Sequence, residues 1–96
     1  MWEVLCEVSA GLRPTERTVA VPDVYGNRHH LRVEEGFIAE IGGKSYIPVG
    51  MIGVDEAKKL ALVELPHESD GGANRLWVWQ ANLHRIAAAD AATAAS

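Results

Sequence analysis

Hydrophobic and polar residues alternate along most of this chain. In Trp2–Val8, Trp2, Val4, Cys6 and Val8 fall on one side of an extended backbone, and Glu3, Leu5 and Glu7 on the other. That pattern predicts a half-buried strand. Gly11-Leu12-Arg13-Pro14-Thr15-Glu16 interrupts pairing and reads as a loop. The β-branched run Thr18–Val21 predicts a second strand, stopped by Pro22. Asp23-Val24-Tyr25-Gly26-Asn27 has turn chemistry. A third strand follows at His30–Val33, then a short turn at Glu34-Glu35-Gly36 and a strand at Phe37–Ile41. Gly42-Gly43 suits a tight hairpin. Ser45–Val49 returns and continues through Met51-Ile52, with Gly50 and Gly53 marking a bend or bulge.

Two segments are ambiguous. Asp55–Lys59 begins like a helix, with acids in the first turn. Leu60–Leu65 ends abruptly at Pro66 and has the length of a strand. The preferred reading is a turn at 55–59 and a strand at 60–65; the alternative is one helix over 55–65. Beyond a polar loop at His67–Asn74 comes the strand Arg75–Gln80. After it, Asn82 suits a helix cap, and Leu83 and Ile86 would dock a short helix. The alanine-rich end, 86–96, reads as a frayed helix or tail.

The fold expectation is therefore all-β. It is a small, strongly bent antiparallel meander or partly open barrel of five to seven short strands, in one domain over 1–85. Over roughly residues 2–80, strand number and glycine punctuation resemble the Src-homology-3-like or Tudor-like architecture. The resemblance is one of fold only, and such folds host many functions.

The most pointed pattern is Arg75-Leu76-Trp77-Val78-Trp79-Gln80. In a strand, Trp77 and Trp79 point one way and Leu76 and Val78 the other. The preceding strand repeats this, with Leu60 and Leu62 beside Glu64 on one face and Val63 and Leu65 on the other. One core cannot cover both faces. The surplus points to contact with a partner protein or a homodimer, through Trp77, Trp79 and Leu62 with Arg75 at the rim.

Charge adds a second candidate surface. The net charge is −4. Most of it lies between Glu34 and Asp70, where three lysines face eight carboxylates. That balance disfavours non-specific phosphate binding. Up to Val33, however, Arg13, Arg17, Arg28 and Arg32 would converge, with Tyr25, on a nucleic-acid-binding face in some barrel geometries.

Catalytic and metal chemistry find little footing. His29 and His30 are adjacent and diverge in a strand, while His67 and His84 stand alone. His67-Glu68-Ser69-Asp70-Gly71-Gly72 has hairpin-loop composition without a calcium-loop spacing. Gly42-Gly43-Lys44-Ser45 lacks the context of a nucleotide-binding loop. Cys6, the only cysteine, sits mid-strand among valines, which predicts an inert thiol. The expectation is a protein that is no enzyme and uses neither cofactor nor metal. A lone cysteine and an opening without a leader pattern fit the cytoplasm. No apolar run reaches the ~20 residues of a membrane span.

Overall fold

The computed structural model describes residues 1–86. Eight antiparallel strands form one sheet: β1 (Trp2–Ala10), β2 (Glu16–Pro22), β3 (Arg28–Glu34), β4 (Ala39–Ile41), β5 (Lys44–Asp55), β6 (Leu60–Glu64), β7 (Arg75–Trp79) and β8 (Leu83–Arg85). The main path runs β3-β2-β1-β5-β6-β7, with β4 paired to β5 and β8 paired to β1. The sheet curls into a half-barrel, as the strand pattern predicts. Each of the six path strands places at least one side chain fully inside it: Val4, Val19, Val21, Leu31, Ile47, Val63 and Val78. Burying each such side chain contributes about 1.5–3 kcal/mol. Among the described residues, every buried side-chain nitrogen or oxygen has a hydrogen-bond partner.

Two long strands bend the sheet. Trp2–Cys6 of β1 pairs with Val49–Ser45 of β5, while Glu7–Ala10 pairs with β2. The far half of β5 leaves β1 and pairs with β6. The register slips between Met51 and Gly53, so β5 carries a bulge where the glycine spacing predicts one. Loops bridge the seam between the end strands. Asp70 N–H donates to the His30 carbonyl of β3 at 2.7 Å, and His67 Nε2 lies 2.6 Å from the Arg32 carbonyl. At the other side, Val24 N–H donates to the Trp77 carbonyl of β7 at 3.0 Å. Both sheet edges are thereby covered locally by chain from the opposite end.

The ambiguous segment resolves as a turn and a strand. Asp55 Oδ1 accepts the Lys58 N–H at 3.1 Å, and Lys59 adopts φ 59°, a left-handed conformation no helix interior contains. Glu35–Phe37 forms a short 3-10 turn, so β4 begins at Ala39 rather than Phe37. The short helix expected around Leu83 and Ile86 is corrected to strand β8. Leu83, His84 and Arg85 pair with Val4, Glu3 and Trp2, and Ile86 N–H donates to the Met1 carbonyl at 2.9 Å. Side-chain partners on β1 decide the matter: Leu83 packs on the core, His84 meets Glu3, and Arg85 lies 5.8 Å from the Trp2 ring centre. The expected tail falls, from residue 87 on, outside the described residues.

Candidate contact face

The outer face is built by three adjacent strands. In the β6–β7 ladder, Leu60 stands opposite Trp79, Leu62 opposite Trp77 and Glu64 opposite Arg75. Directly opposed residues share a face, so these six side chains form two apolar rows and one charged row. Their neighbours in sequence, Ala61, Val63, Leu76 and Val78, are buried on the concave side. Trp77, Leu60 and Leu62 are half-buried, and Trp79 is 48% exposed. Arg75 Nε lies 3.4 Å from Glu64 Oε2, which closes the face at one end. Asp55, beside Leu60, is turned into its own β-turn at the other end.

β5 supplies a third column that is nearly bare. Gly50 stands beside Glu64 and Gly53 beside Leu62. The extra residue of the bulge, Ile52, is 44% exposed. The result is an indole ridge on β7, leucines on β6, and two glycines with the exposed Ile52 between them on β5. In the sequence Gly53 was legible only as a bulge signal and Ile52 only as a strand residue, because their place on this face depends on the slipped register.

The four arginines are divided rather than gathered. Arg28 and Arg32 alternate with His30 along one side of β3, and all three are exposed. Arg28 is engaged by Glu7 at 2.9 Å. Arg17 pairs with Val33, a residue of the concave side, and meets Glu35 at 2.9 Å. Arg13 lies in the loop before β2, exposed, and Tyr25 lies in the β2–β3 turn, 72% exposed.

Two imidazole–carboxylate pairs stand outside these sets. His84 Nδ1 donates to Glu3 Oε1 at 2.8 Å, and Glu3 is only 3% exposed. His29 Nε2 meets Asp23 Oδ2 at 2.8 Å, while Asp23 Oδ1 accepts the N–H groups of Tyr25 and Asn27 at 2.9 Å each. Burial opposes the Asp23 charge, but the bonds from His29, Asn27 and Tyr25 outweigh it and hold its carboxyl below the usual range. Both pairs anchor backbone, one at strand β8 and one at a turn. Cys6 is buried, and desolvation pushes its thiol up to about 12. Among the described residues no three His, Cys, Asp or Glu side chains are grouped to hold a metal ion. No described helix is long and apolar enough to cross a membrane.

Comparison with known proteins returns nothing to lean on: no family model, no curated protein and no solved structure matches this chain.

Proposed function

We propose that this protein is a non-enzymatic contact module that binds protein through the outer face of the β6–β7 hairpin. The observation that carries the reading is the pair of apolar rows Leu60–Trp79 and Leu62–Trp77 on the side of the sheet away from its core. Tryptophan is the side chain most enriched at the energetic centres of interfaces. A half-exposed indole beside leucines leaves apolar area in water that a partner would remove. The Glu64–Arg75 pair supplies a polar rim.

A nucleic-acid role draws less support. The arginines that would carry it lie on different sides of β2 and β3, and two of them already face carboxylates.

The test is Leu62→Lys, which puts a charge in the middle of the face while leaving the concave core intact. In a clarified extract of producing cells, the wild-type chain is expected to elute well above its 10.4 kDa monomer mass. Leu62→Lys is expected to elute as monomer with an unchanged melting temperature. Elution of both at monomer mass would refute the reading.

A further inference from the structure

His67 is wedged between two carbonyl oxygens. Its Nδ1 lies 2.9 Å from the Glu68 oxygen, and its Nε2 lies 2.6 Å from the Arg32 oxygen of β3. A carbonyl only accepts, so each contact is a hydrogen bond only where the ring nitrogen carries a proton. A neutral imidazole has one N–H and one lone pair, whereas the imidazolium has two N–H groups. In a neutral ring one nitrogen would turn its lone pair on a carbonyl oxygen no more than 2.9 Å away. Only the charged ring satisfies both oxygens. The 2.6 Å contact is also shorter than an ordinary neutral N–H bond to oxygen, as charge assistance makes it.

We infer that His67 is a proton-dependent staple across the seam of the half-barrel: as imidazolium it pins the β6–β7 loop to the edge of β3, and loss of one ring proton loosens that edge. The inference does not depend on the contact face. β3 is one edge of the sheet. The loop caps its outward carbonyls at two alternate residues, Arg32 through the His67 ring and His30 through the Asp70 N–H at 2.7 Å. Carbonyls of alternate residues on an edge strand point the same way, so the loop stands where a further strand would add. Among the described residues these two are the hydrogen bonds from the loop to β3. The staple is therefore half of that attachment. The other loop bonds, Leu65 N–H to the Asn74 carbonyl and Ser69 N–H to the Ala73 carbonyl, hold the loop to itself.

The direction of the pH effect follows from the charge. The staple is complete on the acid side of the imidazole step and weakens as pH rises through it. Whichever nitrogen deprotonates, one carbonyl loses its donor. The bond that stays is no longer charge-assisted and is roughly half as strong. Other charged groups share the site. Glu16 of β2 and Arg32 and Glu34 of β3 line the same cleft of about 360 Å³ as His67. Glu68 and Asp70 lie beside it on the loop, and the exposed His30 is next but one to Arg32 on β3. Pro48 of β5 and Phe37 of the 3-10 turn complete the cleft without charge. Carboxylate steps fall below the imidazole step on the pH axis, so a titration separates them.

The experiment is an NMR titration of the full chain from pH ~5 to ~9, for wild type and His67→Gln. It follows the His67 ring nitrogens, the Arg32 carbonyl carbon and the Asp70 amide. Glutamine keeps a donor for the Arg32 oxygen but has no proton to lose in this range. In wild type the Arg32 carbonyl carbon is expected to move upfield, and the Asp70 amide to shift, in one step with loss of the second ring proton of His67. In His67→Gln that step is expected to vanish from both signals. An Arg32 carbonyl that stays still while the His67 ring titrates overturns the inference, and the wild type alone decides this. A step that persists in His67→Gln belongs to His30 or a carboxylate and overturns it as well.

Discussion

Asp23 shows how one side chain holds a turn. Its two oxygens take the Tyr25 and Asn27 N–H groups and the His29 ring, all within 2.9 Å. Because its folded carboxyl is held below the ordinary 3.8, its stabilising effect is complete above that value. The effect is lost as pH falls through the lower folded value. Asp23→Asn keeps an acceptor for the turn but cannot titrate. The expected result is a wild type more stable than Asp23→Asn at pH ~5, with the gap closing towards pH ~2.5; denaturant melts at several pH values measure it. A gap constant with pH would show that the charge is immaterial. For Cys6 the sign is opposite. Burial lifts its thiol from 9.0 to about 12, so the neutral form is favoured in the fold, and stability is shed only as pH rises through that interval.

At the scale of elements, most strands were legible because period two runs without interruption. Val4 and Cys6, Val19 and Val21, and Leu31 and Val33 are spaced by two and all turn inward. The turn at 55–59 was harder, since Asp55-Glu56-Ala57-Lys58-Lys59 carries good local helix chemistry. The cross-strand bonds of Leu60–Glu64 to both β5 and β7 override that propensity. Strand β8 was not legible. Three residues carry no period, and what fixes them is distant in sequence: Glu3 for His84 and Trp2 for Arg85. If that pairing holds β8, His84→Ala leaves a buried carboxylate without its donor and costs about 1–3 kcal/mol. Amide exchange should then rise at Trp2–Val4 and Leu83–Ile86 and stay unchanged in β3. Unaltered exchange in both paired segments would mean the backbone pairing alone suffices.

For the molecule as a whole, the apolar surplus of the last hairpin was visible in sequence as Trp77 and Trp79 against Leu76 and Val78. Which face the core takes was not, because both are greasy. The structure assigns Leu76 and Val78 to the core and leaves the indoles outside. Curvature explains the choice. The concave side of a small half-barrel has room for valine, leucine and alanine, whereas two indoles two residues apart on one strand face would overfill it. The place of Gly53 in this surface emerges only once the bulge brings it opposite Leu62. The account then stands or falls on whether another protein covers the indole side. Oxidative labelling followed by mass spectrometry reads this directly, with Phe37, 60% exposed in the turn between β3 and β4, as the internal reference. The account predicts that Trp79, relative to Phe37, is modified severalfold more slowly in concentrated native extract than in dilute purified protein. Equal relative rates in the two samples would contradict it.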